Sequence, residues 1–409
     1  MNKKKIFNDP IYGFVTISND LIFDIIEHPY FQRLRRIKQL GLTDLIYPGA
    51  LHTRFHHAIG AMHLMGLTLS NLRSRGHEVT EKEFISAQIA ILLHDVGHGP
   101  FSHTLEHTLL NNINHEKISL LTIQKLNQIF GGELDMALEM FSGAYHRKFF
   151  HQLISSQLDI DRLDYLQRDC FFTGVSEGTI GADRIIKMLD VVDNSIVIEE
   201  KGIYSVENFL NSRRLMYWQV YLHKTTVSAE KMLIQVIKRA KYLVQKGEVL
   251  FASEPLEFFL RNDLTYEDFL NNENTLDTFL RLDDYDIWGA LKIWVTNKDI
   301  FLSELCRGLL ERKLFKIQLS NDPFKESQVR SIKECLKSTY KIGESDLEYF
   351  LLLGAVSNEA YMAGGEKINI LMKTGNILDV AKASDLPNIT AISKIVKKYY
   401  LCYPKELYL

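Results

Sequence analysis

A chain of 409 residues, 46% hydrophobic and 24% charged, can bury a substantial core as one large domain with an appendage or as two to three smaller units. No apolar run approaches the roughly 18 residues that cross a bilayer, so no membrane partner is expected. A net charge of −3 leaves no global basic footprint for nucleic acid, and any bound polyanion must meet local positive charge.

The start, MNKKKIFNDP, has the basic residues of a signal peptide without the apolar segment that follows one. Cys170, Cys306, Cys335 and Cys402 stand far apart, as reduced thiols do, and the expected location is the cytoplasm. In FHHAIGAMHLMGLTLSNLRSRG, Ile59, Met62, Met65, Leu69 and Leu72 form one stripe with Gly76 beyond its end, which predicts a helix. The same period runs through EKEFISAQIAILLHD, INHEKISLLTIQKLNQIF, HQLISSQLDIDRLDYLQRD and the long stretch from VENFL to LVQKG. Residues 1–245 are therefore expected to be mostly helical. SIVIEE and GIYSV read as short strands in a hairpin around Lys201 and Gly202. Beyond about Gly247 helix continues to about Leu310, followed by the β-like KLFKIQL and by EKINILMKTGNILDVAK, two alternating runs around Gly375. The expected fold is mainly α: a helical bundle over residues 1–245 and a smaller region over 246–409, helical and then α+β, packed on it.

Ligand-type side chains collect at the helix ends. ILLHDVGHGPFSH places His94, Asp95, His98 and His103 behind an apolar run, His57 stands at the start of the preceding helix, His115 sits in NHEK, and Asp161 begins DRLDYLQRD. A His–Asp pair alone is equally a satisfied core pair, an acid–base pair or half of a metal site. His57, His94, Asp95 and Asp161 together would offer two imidazole nitrogens and two carboxylate oxygens, a set that a borderline divalent ion accepts while positions stay open for water. Without a thiolate the set does not suit a structural zinc knot and suits a hydrolytic site. Iron, manganese, magnesium and zinc all remain open.

This order, H…HD…D, resembles that of the HD-domain phosphohydrolases. FNDPIYG, PYFQRLRRIKQLG, IYPGALHTRFHHAIG, LLHDVGHGPFSH, NHE and DIDRLDYLQRDC further resemble the deoxynucleoside triphosphate triphosphohydrolase branch, over about residues 5–245. The resemblance implies an HD-domain helical bundle that hydrolyses dNTPs to deoxynucleosides and inorganic triphosphate, with one divalent metal per subunit. It implies that Tyr165 packs beneath the deoxyribose, Asp169 accepts from the 3′-hydroxyl and Gln39 is a second sugar contact. Asp161, Tyr165 and Asp169 share one helical face. Arg54, Arg162 and Arg213 are the candidates for the phosphates, where a guanidinium binds oxygens in pairs; Arg162 stands where the family often has lysine. Tyr217, Tyr221, His223 and Lys224 complete the matching motif.

Departure of the 5′-oxygen needs a proton. The resemblance gives that role to His115, held by His98 or alternatively His103 and by Glu106, where close relatives have aspartate. His56 and His107 have no such role. Lys5, Asn8, Gln32 and Arg35 resemble the lining of a nucleotide effector pocket in oligomeric members, with Glu27 where a guanine-reading pocket has aspartate; a homo-oligomer is implied, with the region beyond residue 246 involved in its assembly. The plain alternative is that IIEHPYFQRLRRIKQLG is one amphipathic helix. Two other functions stand beside this one: a phosphohydrolase or nuclease acting on another nucleotide, and a nucleotide-sensing protein that has lost catalysis.

Overall fold

The stripe of Ile59, Met62, Met65, Leu69 and Leu72 is buried along its whole length in the helix Arg54–Ser74, where each such side chain contributes about 1.5–3 kcal/mol by leaving water. The structure is a computed structural model and describes residues 5–110, 113–358, 367–385 and 396–407. Helix Arg54–Ser74 packs against helices Glu81–Leu93 and Ile160–Thr173. Each begins at a side-chain cap. Thr53 pairs reciprocally with His56, Thr80 with Glu83, and Asp159 accepts from the backbone N–H of Arg162 at 2.7 Å. The fold is mainly α.

Several expected elements are divided. HQLISSQLDIDRLDYLQRD is two helices, Phe149–Ile154 and Ile160–Thr173, because Asp159 accepts from Ser156 N at 2.7 Å as well as from Arg162 N and so starts a new helix. The long stretch after VENFL breaks between Ile203–Met216 and Lys224–Gln245, across a π-helical turn at Tyr217–Tyr221. IIEHPYFQRLRRIKQLG is not one helix. Helix Asp20–Glu27 stops at His28, which Pro29 forces into extended backbone, and a short helix Pro29–Gln32 and a 3₁₀ turn Arg33–Arg36 follow.

Strand β1 (Lys5–Asp9) pairs antiparallel with β2 (Gly13–Ile17), closed by Asp9, whose carboxylate accepts from Ile11 N and Tyr12 N at 2.8 and 3.1 Å. β3 (Leu189–Val192) and β4 (Ser195–Glu199) form the second hairpin. Its turn is Asp193–Asn194, both left-handed at φ 48° and 62°, and not Lys201–Gly202; GIYSV instead starts helix Ile203–Met216. In the tail, β5 (Lys316–Ser320), β6 (Leu352–Asn358), β7 (Asn369–Leu371), β8 (Ile377–Asp379) and β9 (Val396–Tyr403) make two sheets. β9 lies between β5 and β6, antiparallel to both. β7 and β8 are the two alternating runs expected around Gly375, here paired antiparallel, and β7 adds parallel to β4, so the tail returns to the first half of the chain.

Among the described residues, most buried apolar side chains fall into two clusters. One runs from Val15 to Val220 and recruits Ile368, Ile370 and Val380. The other runs from Ala229 to Leu407 but includes Leu42 and the stretch from Phe101 to Leu121. The chain crosses from the first core to the second between Val96 and Phe101 and returns between Leu121 and Ile123. The segment carrying His98, His103 and His115 therefore lies at the seam. Among the described residues no helix is long and apolar enough to cross a membrane.

Candidate metal and catalytic site

A cavity of about 890 Å³ opens at this seam, within the size range of small-molecule sites. Gln39, Arg54, His94, Asp95, His98, His103, His115, Asp161, Arg162, Tyr165, Asp169, Tyr217 and Tyr221 line it. His57 lies fully buried behind the wall. Glu106, Arg213, His223, Lys224 and the five residues Lys5, Asn8, Glu27, Gln32 and Arg35 are not part of that lining.

His57, His94 and Asp161 turn one ligand atom each toward a common point. His57 Nε2 lies 3.0 Å from Asp161 Oδ1, His94 Nε2 lies 3.3 Å from the same oxygen, and the two nitrogens are 3.4 Å apart. Asp95 stands at the rim, with Oδ1 3.4 Å from His94 Nε2 and Oδ2 3.8 Å from His57 Nε2, and it is paired with Arg54. The outer nitrogens decide the tautomers. His94 Nδ1 lies 2.6 Å from the carbonyl of Ile91, which can only accept, so Nδ1 carries the proton and Nε2 of the neutral ring presents a lone pair. His57 Nδ1 lies 2.7 Å from Asp164 Oδ2, which puts a second lone pair opposite the first. Two facing lone pairs and a carboxylate are mutually repulsive unless positive charge sits among them. Raised imidazole pKa values express the same demand, since a proton is the smallest positive charge that can meet it. Burial opposes charge on His57, yet Asp161 and Asp164 outweigh it and push its pKa up to about 10. Burial likewise opposes charge on His94, and Asp95 and Asp161 raise its pKa; burial would raise Asp161, but the two imidazoles hold it well below the carboxylate range. This donor set fits a borderline divalent cation.

Behind the ligands, Asp164 takes two hydrogen bonds from Arg168, each at 2.9 Å, and Arg168 reaches Asp9 of β1 at 2.8 Å. All of these side chains are buried. Asp164→Ala should weaken metal binding about 10- to 100-fold, because it frees the His57 ring. It should also lower stability by about 3–5 kcal/mol, because the buried Arg168 charge loses its bidentate partner. Metal titration and thermal unfolding check both; unchanged affinity would show that Asp164 does not hold His57.

Gly97 brings the next segment against helix His115–Ile129, where a β-carbon would overlap the His115 carbonyl and Ser119 nitrogen. The His98 ring consequently stacks on His115, centroids 3.7 Å apart, and His103 meets both edge-on. Glu106 divides its two oxygens: Oε1 lies 3.1 Å from His115 Nδ1 and Oε2 lies 3.0 Å from His103 Nδ1. Burial would raise Glu106, but the two imidazoles take it well below the usual range. His98 is held neutral by burial, Arg54 and His115. The His103 side chain is 68% exposed and that of His115 20%, so His115 is the better shielded of the two.

Asp169 is buried, and Arg168 turns away from it. Its Oδ2 accepts from the Tyr221 hydroxyl at 2.8 Å and its Oδ1 lies 2.7 Å from His52 Nε2. The Tyr165 ring lies 6.2 Å from that of Tyr221, and Tyr221 lies 5.3 Å from Tyr217. Arg162 is paired with Asp159 at the cavity edge. Arg213 donates to Gln157 at 3.2 Å, and His223 caps helix Lys224–Gln245. Elsewhere Arg35 donates to Gln32 at 2.8 Å and lies over Phe55, while Lys5 lies over Phe23. His52, Asp159, Asp164 and Ser102 were not singled out from the sequence. Only His52, two residues before Arg54 in a histidine-rich run, carried any local signal.

The HD domain family matches residues 54–169, and the HD associated region matches residues 180–250. The chain is 34% identical to the uncharacterized protein YwfO of Bacillus subtilis, covering 100% of this chain and 94% of that one. It is 30% identical to the deoxynucleoside triphosphate triphosphohydrolase SAMHD1 of Gallus gallus across 62% of this chain and 49% of that protein, about half its length. The crystal structure of a phosphohydrolase from Bacteroides thetaiotaomicron superposes with a TM-score of 0.95 at 49% identity, covering 98% of this chain and 100% of that one.

Proposed function

Because this chain belongs to the HD-domain family of phosphohydrolases, we propose that it hydrolyses deoxynucleoside triphosphates to deoxynucleosides and inorganic triphosphate. The observation that carries the reading is one cavity lined by His94 and Asp161, by the stacked rings of His98 and His115 and by two arginines, Arg54 and Arg162, with His57 and Glu106 holding these groups from outside the lining. His57, His94, Asp95 and Asp161 would hold one divalent ion. When bound, that ion supplies Lewis-acid activation of water and phosphate.

Arg54 and Arg162 meet the phosphate oxygens as fixed cations. His115 gives its Nε2 proton to the departing 5′-oxygen, while Glu106 on Nδ1 orients the ring and stabilises the imidazolium form. His98, kept neutral, positions it by stacking. Asp169 is oriented by His52 and Tyr221 to accept from the 3′-hydroxyl, and Gln39 makes a second sugar contact. Tyr217 and Tyr221 complete that wall. The proposal extends to residues 1–245 as the catalytic domain and to residues 246–409 as a region packed on it and involved in forming a homo-oligomer. Lys5, Asn8, Glu27, Gln32 and Arg35 are proposed as a nucleotide effector pocket. The name printed for the Gallus gallus relative supports the substrate class.

A rigid ring beneath the deoxyribose leaves no room for a 2′-hydroxyl. The enzyme should therefore prefer dGTP to GTP by a factor on the order of 10², and Tyr165→Ala should narrow that gap. Steady-state kcat/KM for both nucleotides with both proteins measures it. Equal turnover of dGTP and GTP by the unaltered protein would refute the sugar selection.

A further inference from the structure

Phe101 and Ser102 are consecutive non-glycine residues in the left-handed backbone region, at φ 55° and 53°. L side chains rarely adopt this conformation, and it persists where the surroundings over-determine it. The turn joins His98 to His103, so whatever holds it sets where those imidazoles stand. Part of the hold is local. Arg33, fully buried, donates to the His98 carbonyl at 3.0 and 2.7 Å, and Arg54 Nε donates to Ser102 Oγ at 2.8 Å.

The remaining contact comes from far along the chain. Asp284 begins helix Asp284–Trp294 and is buried. Its Oδ1 accepts from Phe101 N at 2.8 Å and its Oδ2 from Lys38 N at 2.9 Å. Both oxygens of one carboxylate are thus committed to two backbone N–H groups, one in the turn and one beside Gln39. The loop between those points is closed by Ser102 Oγ, which lies 3.3 Å from the Lys38 carbonyl. The neighbouring Asp283 pairs with Arg36 and anchors the same helix end to the same segment. Asp284 lies outside residues 54–169 and 180–250, the parts of the chain matched by the family.

We propose that Asp284 is a positioning residue for the hydrolytic site: it acts through the Phe101–Ser102 turn on His98, His103 and Arg54 and gives the C-terminal region a part in catalysis. The effect on turnover rests on the phosphohydrolase reading given above; the hold on the turn does not. Asn at this position keeps the shape and one acceptor oxygen, but its NH₂ group faces an N–H that has nothing to donate to.

Asp284→Asn, made in the full-length, metal-loaded protein, should keep its metal and most of its stability. Its kcat for dNTP should fall about 10²-fold with KM moved only a few-fold, as expected when reacting groups are displaced by about an ångström. Amide exchange in the peptides covering residues 97–105 and the segment around Lys38 should quicken about tenfold, with other peptides unmoved. Leu291→Ala, a core truncation on the same helix, separates positioning from loosening. It should lower the unfolding temperature while leaving both kcat and exchange of the 97–105 peptide near those of the unaltered protein. The proposal is overturned if Asp284→Asn keeps kcat within about twofold, or if Leu291→Ala loses as much rate. Should the unaltered protein turn over no dNTP, the substrate reading fails. The exchange measurement still decides the hold on the turn, which unchanged protection of residues 97–105 in Asp284→Asn would disprove.

Discussion

Asp161→Ala should yield a folded protein without bound metal and without turnover. Among the described residues Asp161 Oδ1 is the one oxygen close to Nε2 of both imidazoles, at 3.0 and 3.3 Å, whereas Asp95 is no nearer than 3.4 Å and is already paired with Arg54. Removing it takes away the anion that draws positive charge between His57 and His94. The loss of rate should exceed the roughly 10- to 100-fold that accompanies loss of a supporting residue. The fold should survive, because helix Ile160–Thr173 is capped by Asp159 and the Asp161 side chain packs no core. Metal analysis by mass spectrometry beside thermal unfolding and a rate assay tests this; full metal content and full rate would remove Asp161 from the site.

His115→Ala should separate proton transfer from metal binding. The variant should keep its metal and still bind dNTP, yet lose about 10²–10⁴ in kcat, the range for a missing general acid. KM should move far less, because the interaction matters chiefly as the bond breaks. His56→Ala makes the comparison: His56 is next to a metal candidate but is occupied in the reciprocal cap with Thr53, so its loss should cost stability of about 0.5–2 kcal/mol and little rate. Near-normal kcat in His115→Ala would transfer the acid role to His98 or His103.

The helices and the residues gathered at the cavity were legible because their signals are short in range. The stripe through Ile59, Met62, Met65, Leu69 and Leu72 is written within one helix. His57, His94 and Asp161 come within 4.8 Å of one another because each sits at a helix end that meets the others. Features built from distant parts of the chain left no such trace. The parallel joining of β7 to β4 depends on about 170 residues of intervening chain. Asp164, His52 and Asp284 acquire their partners, His57, Asp169 and Phe101, only when the chain is folded. The break at Ser155–Asp159 was hidden because its apolar spacing continues on either side, and the cap that makes it is a single aspartate. Glu106 shows how length matters in three dimensions. Its extra methylene, compared with aspartate, goes with a carboxylate whose two oxygens reach different imidazoles, a bridging geometry that its place in the sequence does not announce.

The reaction proposed for this site is cleavage between the 5′-oxygen and the α-phosphorus of a dNTP. Incubating the metal-loaded full-length protein with each dNTP, singly and in mixture, and resolving the products by ³¹P NMR and chromatography tests it directly. Deoxynucleoside and inorganic triphosphate are expected in equal amounts. Deoxynucleoside monophosphate with pyrophosphate, diphosphate with phosphate, or no product with any dNTP alone or in combination would contradict it.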